Sequence, residues 1–133
     1  MTGHLLDPLH AHHDRAHRWF EARGGAPWHT CPLVQNGVVR VVSHPRYPNS
    51  QPAPVVLESL GSLLETGGHT FLPDSASLVD GDVARERVTS SAQVTDPYLL
   101  LLARSHRVSL ATFDTRIVTS AVPDGDAVVL QVP

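Results

Sequence analysis

Val94-Thr95-Asp96-Pro97-Tyr98-Leu99-Leu100-Leu101-Leu102-Ala103, then a polar break Arg104-Ser105-His106-Arg107, then Val108-Ser109-Leu110-Ala111-Thr112-Phe113-Asp114: this stretch decides the fold. Asp96 followed by Pro97 starts a helix, because Asp caps free backbone N–H groups and proline tolerates the first helical turn. The helix is predicted to run to about His106. Val108 to Phe113 is a short apolar run between the basic break and Asp114, and it reads as a buried strand. In an α/β sheet functional groups collect at the carboxyl ends of strands, which is where Asp114 falls. Asp96 and Asp114 are therefore two acids set to converge. The competing reading makes Asp96 only a helix cap and Asp114 only the cap of a short helix expected over Thr115 to Ser120.

Working outward, 133 residues and 14.4 kDa predict a single domain, 1–133, large enough to bury a core. With 41% apolar and 17% charged residues the chain is not disordered, and no apolar run is long enough to cross a membrane. Met1-Thr2-Gly3-His4 lacks the basic patch and apolar segment of a secretory signal, so a soluble, cytoplasmic protein is expected. The lone Cys31 has no disulfide partner and reads as a small buried hydrophobe. A formal net charge of −3 gives no global basic field to attract nucleic acid. All 10 cationic residues are Arg, which suits phosphate contacts but is accounted for first by a GC-rich genome.

Asp7-Pro8 repeats the cap-then-proline signal and predicts a helix to about Arg23, stopped by Gly24-Gly25, with Ala16, Trp19 and Phe20 on its buried stripe. His10, His13 and His17 lie one turn apart, a spacing that can hold zinc, but no Cys or Glu completes a zinc pattern and a solvated cluster is the preferred reading. Ala26 to Thr30 offers a strand and Cys31-Pro32 opens a helix, Leu33 onward, apolar around Gln35, Asn36 and Arg40. His44 to Pro54 is a Pro/Asn/Ser loop; Val55 to Thr66 is an amphipathic helix with apolar residues at 56, 57, 60, 63 and 64, ended by Gly67-Gly68. His69 to Leu72 and Ala76 to Val79 read as short strands around Pro73-Asp74. Asp74, Asp80 and Asp82 read as polar turn residues rather than calcium ligands. Pro123 to Asp126 is a turn, and Ala127 to Val132 a terminal strand.

Thr95-Asp96-Pro97-Tyr98-Leu99 and Leu110-Ala111-Thr112-Phe113-Asp114 resemble two acid-bearing motifs of PIN domains, specifically the VapC-type toxin ribonucleases of type II toxin–antitoxin systems. Asp7-Pro8-Leu9-His10-Ala11-His12-His13 and Pro45-Arg46-Tyr47-Pro48-Asn49 also resemble segments common in that family, and the likeness covers nearly all of the chain from Leu5. The resemblance implies a PIN-like three-layer α/β/α fold around a central, mainly parallel sheet. It implies Asp96 and Asp114 as ligands of Mg or Mn, RNA as substrate, a cognate antitoxin as partner and a homodimer. In the family's second motif an acid points into the site. Here Gln35 stands where some relatives have Glu and Gly37 replaces the Glu of others. Gln35 is either a polar auxiliary of the catalytic site, able to hydrogen-bond a water or an RNA group without bringing charge, or a buried amide satisfied by its neighbours. Arg40 and Thr95 are the candidate RNA contacts, with Arg46 a solvated loop charge.

PIN domains open on a buried strand ending in Asp, and this strand is expected to be missing here. Aligning His4-Leu5-Leu6-Asp7 with it is the lesser reading, since the Asp-Pro signal accounts for Asp7 as a helix cap. Either the native chain starts upstream or this copy has lost the strand. The expected function is accordingly a Mg-dependent endoribonuclease. The alternative is a catalytically inactive PIN module that only binds antitoxin or RNA, because two carboxylates alone hold a divalent cation weakly.

Overall fold

In the computed structural model the helix and strand around the polar break are both present, as Thr95–Ser105 and Ser109–Thr112. The structure describes residues 4–6, 21–22, 25–112, 114 and 116–131. In chain order the elements are β1 (His4–Leu6), β2 (Trp28–Thr30), α1 (Pro32–Val42), α2 (Ala53–Leu64), β3 (His69–Phe71), α3 (Thr95–Ser105), β4 (Ser109–Thr112), α4 (Gly125–Val128) and β5 (Val129–Gln131). The helix expected from Asp7 to Arg23, with its histidines, lies outside the described residues except for Glu21 and Ala22, which are helical.

All five strands form one parallel sheet in the order β3-β2-β1-β4-β5. The first strand, expected to be missing, is therefore present and central: His4, Leu5 and Leu6 pair with Ser109, Leu110 and Ala111 on one side, and His4 and Leu5 with Trp28 and His29 on the other. Three residues are too few to show the alternation or the apolar run by which a strand is read locally. Ladders on both flanks supply what the local sequence does not. With β1 in place, the expectation of a missing strand is corrected, while Asp7, which follows it in the sequence, lies outside the described residues.

α3 explains why the rest of the chain gathers where it does. Leu99, Leu100, Leu101 and Leu102 are all buried, and four consecutive positions at about 100° each go right round a helix, so α3 must be covered on every side. It packs on β1, β4 and α4. Leu72, Val83, Val108, Leu110, Val122 and Val128 close the cluster around it. The helix ends as Arg107 takes a φ of 58° and the amides of Arg107 and Val108 return to the carbonyls of Arg104 and Ala103 at 3.1 and 3.0 Å. The chain is thereby reversed into β4.

Several local expectations are corrected. Asp96 is not the cap of α3: a 3₁₀ turn over Ser91–Gln93 winds straight into the helix, Val94 takes the cap position in a helical conformation, and Asp96 sits in the first turn. Ala76 to Val79 is irregular and turn rather than strand, because Leu78 packs onto the core cluster from a loop. The described residues of 115–120 form no helix. Instead the segment is held by Thr119, whose hydroxyl donates to Asp126. The terminal strand is shortened to β5 because α4 takes Gly125–Val128. On α2 only Val56 is fully buried, with Leu57 and Leu63 exposed, so the apolar stripe is narrower than its periodicity suggests. No helix among the described residues is long and apolar enough to cross a membrane.

Candidate active site

The strand order places β2 and β3 to one side of β1 and β4 and β5 to the other. Chain connections leave β1 in opposite directions at that point, and in open parallel sheets the crevice at such a switch, outside the carboxyl ends of the strands, is where ligands bind. Asp114 follows β4 on this edge. Asp96 reaches the same edge by a different route. α3, with 11 residues, is about 16 Å long and runs back over β4, whose 4 residues span about 13 Å, so the first turn of the helix stands level with the carboxyl end of the strand. The two acids singled out in the sequence are thus brought to one edge by a helix–turn–strand hairpin of matched arm lengths.

Their settings differ. Asp96 is half-buried, with its Oδ1 oxygen fully covered. Asp114 is half-buried as well: its amide donates to the Thr112 hydroxyl at 3.1 Å, and its Oδ1 accepts the Arg116 amide at 2.8 Å. That second bond is an Asx-type turn, so the capping role weighed for Asp114 is real, although it caps a turn and not a helix. Thr112 is fully buried, and its carbonyl accepts from the Gln131 amide at 3.1 Å, fastening the end of β4 to β5.

Gln35 lies in the first turns of α1, and its amide nitrogen donates to the Thr30 hydroxyl at 2.9 Å. Thr30 in turn lies 2.7 Å from Nε2 of His69, and the His69 ring tilts against Trp28 with centroids 4.6 Å apart. Gln35 is therefore one end of a polar chain that ties α1 to β2 and to the edge strand β3. Of the two readings left open for it, the satisfied amide is the one this geometry supports. Burial holds the His69 imidazole below its ordinary value.

Arg40 and Thr95, paired in the sequence only as candidate RNA contacts, share one cavity. Both line a cavity of about 70 Å³ between α1 and the start of α3, together with Leu33, Asn36 and Gly37. Gly37, standing where a carboxylate occurs in some members of the resembled family, is buried in that wall. No acid lines it.

Asp74 is the functional neighbour that sequence reasoning passed over. Its Oδ2 accepts the Leu33 amide at 3.0 Å, supplying the cap that Cys31 does not give α1. It also accepts the Tyr98 hydroxyl; burial first and this carboxylate second push Tyr98 up to about 12. Burial likewise pushes the buried Cys31 thiol up to about 11, with Asp74 adding in the same direction, so Cys31 is the inert hydrophobe its sequence context implied. One exposed carboxylate therefore joins the N-termini of α1 and α3. A single Asp after a proline carries no local signal of such a role.

The fold is that of a parallel α/β protein, with Asp114 following β4 beside the topological switch point. No family model matches the chain, and no solved structure matches it. Curated relatives do. Ribonuclease VapC44 of Mycobacterium tuberculosis is 40% identical over 120 residues, covering 90% of this chain and 84% of that one. Ribonuclease VapC38 of the same organism is 42% identical over 113 residues, 84% and 79% of the two chains, and ribonuclease VapC39 is 34% identical over 116 residues, 86% and 84%. The chain belongs to the VapC family of PIN-type ribonucleases.

Proposed function

We propose that this chain is a metal-dependent endoribonuclease toxin that cleaves RNA phosphodiester bonds and is neutralised by a cognate antitoxin. The observation that carries the reading is the arrival of Asp96 and Asp114 at the β1/β4 switch point by separate elements, in a chain whose relatives are named ribonucleases. The reading extends to a three-layer α/β/α arrangement, a cytoplasmic location and a homodimer.

Carboxylate oxygens are the hard donors that Mg²⁺ or Mn²⁺ takes, so the donor type fits. Among the described residues no group of three or more His, Cys, Asp or Glu side chains is placed to hold a metal ion, so two carboxylates do not complete the site. Asp7, which follows Leu6 in the sequence, lies outside the described residues. Held by Asp96 and Asp114, the cation supplies charge stabilisation at the phosphodiester and a more acidic water. The protein's part is to present Asp96 and Asp114 on rigid elements and to hold a neighbouring phosphate with Arg40 and the Thr95 hydroxyl. Gln35 keeps α1 seated on β2 beside them and brings no charge.

The test is cleavage of RNA by the purified chain. Cleavage is expected with Mg²⁺ or Mn²⁺, is expected to stop on adding EDTA, and should fall about a hundredfold or more in Asp96→Asn with the melting temperature little changed. Undiminished cleavage by Asp96→Asn would show that its metal role is wrongly assigned.

A further inference from the structure

The loop after α1 forms a second depression that the acid site does not use. It is an open groove of about 290 Å³ lined by Arg40, Val41, His44, Arg46, Tyr47 and Pro48. Two guanidinium groups and an imidazole line it, and among the described residues no carboxylate does. Among the described residues neither Arg40 nor Arg46 is paired with an acid. Helix C-termini ordinarily repel anions, but here the last carbonyls of α1 are covered. Ser43 turns both its amide and its hydroxyl onto the Val39 carbonyl, at 3.1 and 2.6 Å, while the amides of His44 and Gln51 take the carbonyls of Val41 and Val42. What remains directed outward is positive.

The loop is also built rather than slack. The Arg46 amide donates to Nδ1 of His44 at 3.1 Å, which leaves the proton of the neutral ring on Nε2, as a donor free for a ligand. The Tyr47 amide donates to the His44 carbonyl at 2.9 Å, and the Tyr47 carbonyl accepts the Ser50 amide at 3.0 Å, fixing a half-buried ring beside the cations. Arg40 belongs to both depressions, so the groove continues from the cavity that Thr95 shares, one residue from Asp96.

We propose that this groove is a subsite for single-stranded RNA, in which Arg40 and Arg46 hold successive phosphates, His44 donates to a phosphate or sugar oxygen, and Tyr47 stacks one base. The proposal rests on the ribonuclease reading above and adds a track that leads the strand away from the acids. A base has a π-face whatever its identity, so the subsite selects for unpaired strand rather than for sequence.

The test is binding of a fluorescein-labelled oligouridylate by the full chain in EDTA, followed by anisotropy across a salt series. Without metal no cleavage occurs, so failure of the acid site and failure of the groove are read separately. Arg46→Gln, which leaves Arg40 in place, should flatten the salt slope by about 0.7, the share of the one phosphate no longer neutralised. Tyr47→Ala should weaken binding about tenfold while Tyr47→Phe retains it, since Phe keeps the stacking surface. The substituted positions are on the surface or half-buried, and unchanged melting temperatures would certify the folds. An unaltered slope and affinity in these variants would overturn the proposal, as would no binding by the unsubstituted chain. Unaltered RNA binding with failed assembly with the antitoxin would give the groove to a protein partner and overturn it equally.

Discussion

The Thr30 hydroxyl serves two partners, Gln35 and His69, and this sharing sets what each can do. Replacing Gln35 by Leu removes one bond of a half-buried chain and should cost about 1 kcal/mol in urea unfolding. A double-mutant cycle of Gln35→Leu with Thr30→Val should return a coupling of similar size, whereas strict additivity would mean the hydrogen bond is energetically empty. His69 is pushed below its ordinary value of 6.5 by burial. The unfolded chain therefore takes up a proton that the folded chain resists, so this contribution is whole above about pH 6.5 and is lost as pH falls toward the lowered folded value. His69→Gln should reduce the acid-side slope of stability against pH, checked by thermal melts through that range. At this scale the sequence was partly legible. The places of Asp96 in a helix and Asp114 after a strand were legible from local pattern, whereas the contacts of Asp74 were not, since its partners come from α1, α3 and Cys31, all distant in sequence.

Among the elements, α3 carries the most burial, and Leu102 is wholly enclosed. Leu102→Ala should lose about 2–5 kcal/mol, read from the denaturant midpoint, through forfeited transfer energy and the cavity left behind. α4 is a tighter case: a Cβ on Gly125 would collide with the backbone carbonyl of Thr119. Gly125→Ala should therefore cost about 1–3 kcal/mol despite the short helix it starts, and an unchanged melting temperature would refute the close approach. Long periodic elements such as α1, α2 and α3 were readable because their patterns are internal to them. β1 was not, because three residues hold no pattern of their own and its place is set by β2 and β4. The strand expected at Ala76 to Val79 is the converse, a loop in which Ala76 and Leu78 rest partly buried on the core while Val79 is exposed.

For the whole molecule, the order β3-β2-β1-β4-β5 is what sets the β4 end, with Asp114 after it, beside the central strand, and no local signal encodes it. Parallelism was foreseeable from alternating helices and strands, but order depends on which way each crossover goes around β1. The same order puts the exposed Phe71 on the edge strand β3. The central claim is that carboxylates at the β1/β4 edge hold a divalent cation. Titrating Mn²⁺ into the purified chain, with free ion followed by electron paramagnetic resonance, tests it most directly. The account predicts saturable binding that weakens at least about tenfold in Asp96→Asn and in Asp114→Asn alike. Binding unchanged in both variants, or no saturable binding in the unsubstituted chain, would contradict it.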